Sequence, residues 1–350
     1  MAQRAVLVGI NYYNTSKELK GCINDVYRIA DILRSVYGFP NSNIVIMVDN
    51  LPKTSPYYPT RENILRELGA LRTATQPGDV AMFHYSGHGI VINSSKSTNV
   101  EYSNDNALIP TDVFGGSNFD LSKKILDDQL WDWASGFPAG STVFAIIDAC
   151  YSGSALDLPY SIKTEGGRSN KFTVSRVETR PDTAAKVIML SGARDDQMSL
   201  DTYDASNKPI GALTYAFCSY ILNNPTKPVS YLDLLTSVRA YIVKRNGSPN
   251  QKGDGANDTI QEPQVSLGRF EDSNTQFTLA APKNVRAITF DDTVLRELLA
   301  TLENPPATQR PPPPPSAPAP APVPTPAPPV RRQSMRPIGG LQAALVARKR

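Results

Sequence analysis

The sequence predicts an α/β fold with a mostly parallel central sheet flanked by helices, on three observations. Strand-like apolar runs alternate with helix-like stretches through residues 1–280 of the 350-residue chain. The runs are apolar along their whole length, which is typical of strands that are covered on both faces. The apolar fraction is 40%, as in globular chains, and no run approaches the ~18 apolar residues of a membrane span.

The predicted elements follow one another in a regular order. Strands are expected at residues 4–10, 43–49, 79–89, 141–150 and 185–193. Helices are expected at residues 24–37, 60–71, 211–222 and 230–244, and "DDQLWDWAS" starts a further helix. Apolar residues at helical spacing and the capping residues Asn24 and Thr60 support the first two helices. In parallel sheets, ligands bind at the carboxyl ends of the strands, so the site is expected there.

The chain divides into a folded region and a tail of different composition. We expect one folded domain at 1–280, a short helical or irregular connector at 281–303, and a disordered, proline-rich basic tail at 304–350. Residues 305–329 hold 14 prolines in 25 positions, a composition that cannot form a packed core. The tail could dock on a proline-binding adaptor, or it could act only as a solubilising spacer.

Charge and cysteine usage limit the class of protein. The tail holds seven of the 36 basic residues and none of the 33 acidic ones, so residues 1–303 carry a net charge of −4. This charge is too weak to indicate nucleic acid as a partner. Three cysteines argue against a disulfide framework and predict a reducing compartment, the cytoplasm or alternatively the nucleus. The first strand leads into polar residues without a cleavage-like site, so no signal peptide is expected.

Two apolar strands end in residues that carry chemistry. "VAMFHYSGHG" ends at His88 and Gly89, and "VFAIIDAC" ends at Cys150. If these strands are neighbours in a parallel sheet, His88 faces Cys150 and can serve as the base that a nucleophilic thiol needs. The N–H groups of Gly89 and Cys150 could form an oxyanion hole. The alternative is that Cys150 is a small buried hydrophobic residue, as His84 and Cys218 are expected to be structural.

Several segments together resemble one peptidase family. "DACYSG" resembles D-[SA]-C-H-S-G, the metacaspase form of the caspase signature, and "HYSGHG" resembles the histidine block of that family. "GINYY", "LKGCIND", "SGARDDQMSLD", "GALTYAF" and "QEPQVS" resemble its other blocks, in order, over residues 4–270. The chain is therefore identified as similar to type I metacaspases, caspase-like cysteine peptidases of clan CD, family C14.

The resemblance implies a caspase-hemoglobinase fold and a monomeric Cys-His endopeptidase that cleaves protein or peptide substrates after Arg or Lys. The basic-residue pocket of the family maps onto Cys22, Asp25, Ser86 and Asp148. Carboxylates attract a cationic side chain, and two of them suit a guanidinium. Spacing alone favours the simpler interpretation that Asp25 caps or flanks a helix, and the resemblance favours the pocket. Tyr151 replaces the usual histidine after the nucleophile, and we expect activity to survive that change.

The resemblance also implies calcium as an activator. The calcium ligands of the family map onto Asp105, Asp127, Asp128 and Asp157, and calcium prefers such oxygen ligands. Adjacent acids before a helix are also ordinary N-terminal capping. Asn106 and Gln129 replace acids often found beside these ligands, which would weaken calcium binding.

The stretch 161–186 is expected to be a flexible basic loop in which self-cleavage could occur. Its candidate cleavage residues are Lys163, Arg168, Lys171, Arg176 and Arg180. The alternative is an uncleaved surface loop. For the whole chain, the sequence favours a cysteine endopeptidase over a proteolytically silent scaffold that recruits partners through its tail. A nucleotide-binding domain lacks support because neither glycine-rich phosphate motif is found.

Overall fold

A computed structural model describes most of the predicted folded domain. The described residues are 1–93, 104–114, 119–150, 152–164, 172–192, 201–203, 208–224, 229–245, 263–277 and 279. All of them belong to the first of two units of the chain, Met1–Pro306; the second unit, Ala307–Arg350, lies outside the described residues. The predicted connector and tail, Tyr151, Arg168 and Lys171 also lie outside them.

Strands and helices alternate through the first 86 residues as predicted, whereas several later strands follow one another without an α-helix between them in the described residues. The strands are β1 (Gln3–Gly9), β2 (Ile44–Val48), β3 (Val80–Ser86), β4 (Gly89–Asn93), β5 (Asn104–Leu108), β6 (Ile125–Leu126), β7 (Thr142–Asp148), β8 (Tyr160–Thr164), β9 (Phe172–Arg176), β10 (Lys186–Ser191), β11 (Asp201–Tyr203), β12 (Pro209–Gly211), β13 (Val229–Ser230), β14 (Gln264–Leu267) and β15 (Gln276–Phe277). The helices are α1 (Cys22–Ser35), α2 (Arg61–Ala74), α3 (Asp127–Ser135), α4 (Ala212–Asn223) and α5 (Tyr231–Arg245).

The central sheet has eight strands in the order β2-β1-β3-β7-β10-β14-β8-β9. The first five of these pair in parallel, and β14, β8 and β9 add an antiparallel edge. A small antiparallel sheet of β4, β5 and β6 follows β3 directly. The parallel half places the carboxyl ends of β1, β3, β7 and β10 at one edge of the sheet, where the predicted site residues are found.

Two hydrophobic clusters cover the two faces of the sheet, because alternate residues of each strand point to opposite sides. Leu7, Met82 and Ile146 belong to the cluster that includes the apolar residues of α1, α4 and α5. The neighbouring strand residues, such as Val8 and Phe83, belong to the cluster with α2 and α3. Burial on both faces explains why these strands are continuous apolar runs in the sequence.

The stretch 161–186 is not wholly a loop, contrary to expectation. It contains β9 and most of β8, which form an antiparallel hairpin on the outer edge of the main sheet. Phe172 and Val174 are partly buried against the core, whereas Thr173 and Ser175 between them are exposed. An edge strand needs only one apolar face and is held by backbone hydrogen bonds, so its sequence can remain polar.

Candidate active site

The two predicted catalytic residues follow neighbouring strands at equivalent positions. β3 and β7 are parallel partners, and their register places Ser86 opposite Asp148. His88 and Cys150 each come two residues later. The N–H of Gly87 still donates to the carbonyl of Asp148, at 3.3 Å, so the two chains stay together beyond the strands. The structure therefore brings His88 and the partly exposed Cys150 to the same edge of the sheet.

Gly89 lies directly against the backbone of Cys150. A Cβ atom at Gly89 would stand 2.2 Å from the carbonyl oxygen of Cys150, far inside van der Waals contact. Only glycine allows this approach, because any side chain would push the two segments apart. The two residues predicted to form an oxyanion hole are thus adjacent.

Two buried tyrosines hold the backbone of His88 on both sides. The N–H of His88 donates to the hydroxyl of Tyr12 at 2.8 Å, and the hydroxyl of Tyr85 donates to the carbonyl of His88 at 2.9 Å. The Tyr12 hydroxyl in turn donates to the carbonyl of Ile109, at 2.6 Å. Burial raises the pKa of both tyrosines, so the hydroxyls stay protonated near neutral pH.

The imidazole of His88 has one nitrogen fixed and one available. Its Nε2 lies 2.7 Å from the backbone carbonyl oxygen of Lys17. A carbonyl can only accept a hydrogen bond, so Nε2 carries the proton and Nδ1 keeps its lone pair. The ring also packs on Tyr12, with ring centroids 4.5 Å apart. Burial lowers the pKa of His88, which favours the neutral imidazole that a general base requires.

Three of the four predicted pocket residues, Asp25, Ser86 and Asp148, lie next to one another. Asp25 accepts from the hydroxyl of Ser86 at 2.6 Å and from the N–H of Gly211 at 2.8 Å. Asp148 lies opposite Ser86 and accepts from both the N–H and the hydroxyl of Thr214, each at 2.9 Å. Asp25 stands in the first turn of α1, but these bonds go to other elements, so helix capping does not account for it.

Gly211 separates the two carboxylates. A Cβ atom there would lie 2.2 Å from Oδ2 of Asp148 and 2.8 Å from Oδ2 of Asp25. Both buried acids therefore face the same small space at the N-terminus of α4, where the helix dipole favours negative charge. Cys22, the fourth predicted pocket residue, is buried at the start of α1, one turn before Asp25.

Three of the four predicted calcium ligands form a cluster. Carboxylate oxygens of Asp127, Asp128 and Asp157 all lie within 4.8 Å of one another. Asp127 is buried and accepts from the N–H of Asn106 at 2.6 Å. Asp157 has a φ of 46°, in the left-handed region that few residues other than glycine adopt. Hard oxygen donors this close together fit a calcium ion.

Asp105, the fourth predicted ligand, lies in β5 beside Asn106. Its side chain is outside the described residues.

Arg180 lies in this acidic cluster rather than on an open loop. Its Nη2 is 2.9 Å from Oδ2 of Asp157, and it also bonds to Oδ1 of Asp128. The guanidinium stands over the ring of Trp131, 5.5 Å from its centroid. Among the other candidate cleavage residues, Lys163 lies in β8 and Arg176 in β9.

His84 and Cys218 fit their structural interpretation. His84 is fully buried in β3, and burial lowers its pKa to about 3. Its Nδ1 lies 3.2 Å from the carbonyl of Ile146. Cys218 is buried in α4, and burial raises the pKa of its thiol. A neutral imidazole and an un-ionised thiol in the core are packing groups.

The chain matches one peptidase family. The family model described as metacaspase, peptidase C14 domain, matches residues 3–159. Metacaspase-2 of Trypanosoma brucei brucei (strain 927/4 GUTat10.1) is 34% identical over 287 residues, which cover 79% of this chain and 76% of that protein. Metacaspase-1 of Eremothecium gossypii is 32% identical over 324 residues, covering 79% of this chain and 66% of that protein. The chain belongs to the metacaspase family.

The solved structure of a Geobacter sulfurreducens protein shares the fold, with a TM-score of 0.52 at 20% identity. It covers 81% of this chain, and this chain covers all of it. The predicted α/β fold of the metacaspase, with a mostly parallel central sheet flanked by helices, is confirmed. The chain spans 66% of the Eremothecium relative and 54% of Metacaspase-5 of Trypanosoma brucei brucei. In the parts of the metacaspase that are described, every helix is too short or too polar to cross a membrane.

Sequence reasoning missed several residues that position the site. Tyr12 and Tyr85, which hold the His88 backbone, lie in "GINYY" and "HYSGHG", which served only as marks of resemblance. Gly211 and Thr214, which contact the two pocket acids, lie in "GALTYAF", used above only as a mark of resemblance. A Gly-x-x-Thr sequence opening a helix is the signal that could have indicated them, since both offer donors at a helix N-terminus.

Proposed function

We propose that this metacaspase is a cysteine endopeptidase in which Cys150 is the nucleophile and His88 the general base and acid. One observation carries the proposal most strongly. His88 and Cys150 follow neighbouring parallel strands in matched register, and the Lys17 carbonyl orders the His88 ring so that Nδ1 keeps its lone pair. Two buried tyrosines also fix the backbone of His88 on both sides.

The proposed reaction follows from this tautomer. Nδ1 of His88 takes the thiol proton of Cys150, and the thiolate attacks the carbonyl carbon of the substrate. The N–H groups of Gly89 and Cys150 would stabilise the oxyanion. His88 then gives its proton to the leaving amine as the C–N bond breaks, which leaves a thioester on Cys150. Attack by water, with His88 again accepting a proton, releases the acid and restores the thiol.

We propose specificity for Arg or Lys at the cleavage position. Asp25 and Asp148 are both buried and face one point beside Gly211. Two carboxylates that share a space would repel an acidic side chain and stabilise a guanidinium or ammonium group. Protein or peptide substrates with such a residue are therefore the expected partners.

We further propose calcium activation. Asp127, Asp128 and Asp157 would hold the ion, with Asp105 as the fourth acid of the predicted set. When bound, calcium would supply positive charge that holds these segments in one arrangement. Self-cleavage within 161–186 and adaptor binding through residues 304–350 remain further proposals. The bond after Arg180 leads into Pro181, whose tertiary amide nitrogen makes it the least suitable of the candidate bonds.

The test is hydrolysis of matched fluorogenic peptides that end in Arg, Lys or Asp, with calcium and with a chelator. The chain, C150A and the control C218A would be compared, since Cys218 is a buried cysteine outside the site. We expect calcium-dependent cleavage after Arg and Lys that is absent in C150A and retained in C218A. Cleavage by C150A at the rate of the unchanged chain would refute the proposed nucleophile. Equal rates with chelator and calcium would refute calcium activation alone.

A further inference from the structure

The side chain of Arg180 lies among the carboxylates that the proposed calcium site would use. Its Nη2 bonds to Asp157 at 2.9 Å and to Asp128. The side chain of Arg180 is 32% exposed and that of Asp157 only 17%, so this ion pair is partly shielded from solvent. The opposite face of the guanidinium is covered by Trp131. The guanidinium of Arg180 is thus held in place by ion pairs with two carboxylates and by a cation–π contact with Trp131.

The guanidinium and a divalent ion would compete for the same oxygens. Three carboxylates within 4.8 Å of one another repel each other unless a cation lies between them. Calcium needs its oxygen ligands at about 2.3–2.6 Å, which leaves no room for an N–H donor on the same face of Asp128 and Asp157. Two adjacent cations would also repel each other. A metal ion that uses Oδ1 of Asp128 and Oδ2 of Asp157 would have to replace Arg180 there.

We propose that Arg180 is the internal counter-ion of this acidic site, and that a divalent cation binds by displacing it from Asp128 and Asp157. The inference rests on the proposed calcium activation and names the residue that sets the affinity of the site. The charge balance is simple: one protein cation leaves the carboxylates as the metal ion arrives.

Displacement of Arg180 would also affect the hairpin of β8 and β9 at the outer edge of the main sheet. Arg180 belongs to the segment that joins β9 to β10, and its carbonyl accepts from the guanidinium of Arg176 at 2.6 Å. Arg176 is the last residue of β9, and it also bonds to the Tyr160 hydroxyl of β8 at 2.9 Å. Loss of the Arg180 anchor therefore loosens the end of the hairpin that carries the candidate cleavage residues. Metal occupancy and exposure of this hairpin become linked through one side chain.

The test measures metal binding directly, in the C150A background so that no cleavage interferes. Calcium chloride is titrated calorimetrically into the full chain, into R180A, and into R180Q as a second variant in case R180A folds poorly. R34A is the charge-matched control, because Arg34 forms an ion pair with Asp31 on α1, on the other face of the sheet. We expect R180A and R180Q to bind calcium about two- to fivefold more tightly, the range for a partly exposed ion pair. R34A should bind as the parent does.

Tryptophan fluorescence provides a second readout. The chain has two tryptophans, Trp131 under Arg180 and Trp133 packed between Phe83 and Phe137. Calcium should change the emission of the parent as the guanidinium leaves Trp131. The change should be absent in R180A and in W131F, and retained in W133F.

The outcomes separate the inference from the proposed function. Equal calcium affinity and an equal emission change in the parent and R180A would overturn the role of Arg180 and leave calcium activation standing. No calcium binding by any variant would overturn both. Tighter binding by R180A with loss of the emission change supports displacement of Arg180.

Discussion

Thr214 holds the Asp148 carboxylate with two donors, which makes it a sharp test of how the pocket is built. Its N–H and its hydroxyl both lie 2.9 Å from Oδ2 of Asp148, and the side chain is fully buried. Thr214→Val keeps the shape of the side chain and the N–H but removes the hydroxyl. Thr214→Ser keeps the hydroxyl and removes only a methyl group.

The magnitude follows from the bond that is lost. A hydrogen bond to a charged group contributes about 1.5–3 kcal/mol. The remaining N–H bond still restrains Asp148, so we take the lower end. If loss of this bond weakens the interaction of Asp148 with the substrate cation by about 1.5 kcal/mol, kcat/KM for an Arg peptide falls about tenfold. The loss should appear mainly in KM, because in the proposed pocket Asp148 would bind the substrate side chain and would not touch the reacting atoms.

The assay is steady-state hydrolysis of an Arg peptide by Thr214→Val, Thr214→Ser and Cys218→Ala. Cys218 lies one turn further along α4 and is also buried, so its variant reports helix destabilisation without contact to Asp148. We expect a raised KM for Thr214→Val, near-parent values for Thr214→Ser, and an unchanged KM for Cys218→Ala. A fall in kcat at constant KM in Thr214→Val, or the same loss in Cys218→Ala, would refute the reasoning.

Three further predictions concern His88 and its surroundings. Gly89→Ala should lower kcat at least 100-fold, because its Cβ would meet the Cys150 carbonyl at 2.2 Å. Gly69→Ala in α2 should retain full activity, because the new Cβ would point into open space beside the helix. Loss of activity in both variants would contradict this. Tyr85→Phe removes the donor to the His88 carbonyl and should lower kcat about fivefold, from roughly 1 kcal/mol for one hydrogen bond; unchanged kcat would argue against backbone positioning. Burial lowers the pKa of His88, so its neutral form persists to lower pH than in a free histidine. The acid limb of the pH profile of kcat/KM should therefore have an apparent pKa below 6.5, the ordinary value for histidine. An apparent pKa above 6.5 for this limb in a pH–rate profile would contradict the assignment of a neutral His88 as the general base.

The sequence predicted the central elements because their pattern is strong. β1, β3, β7 and β10 are buried on both faces, so they stand out as apolar runs even without neighbours. The edge strand β9 could not be recognised in the same way, since it buries only one face. The short strands β4, β5 and β6 were missed because they are defined by pairing with one another, which a sequence does not display.

The site divides along a similar line. His88, Cys150 and the acidic residues follow from the sequence, since each is a chemically distinctive group at a strand end or in a recognisable block. The tertiary structure alone decided which groups hold them: the tyrosines on the His88 backbone, the Lys17 carbonyl on its ring, and Thr214 on Asp148.

Arg180 shows the difference most clearly. From the sequence it is one of several basic residues in a polar stretch; in the fold its guanidinium lies between Asp128 and Asp157, which precede it by 52 and 23 positions. The chemical type of each side chain follows directly from the sequence. Which charge meets which depends on how distant segments pack, and that is set by the fold as a whole.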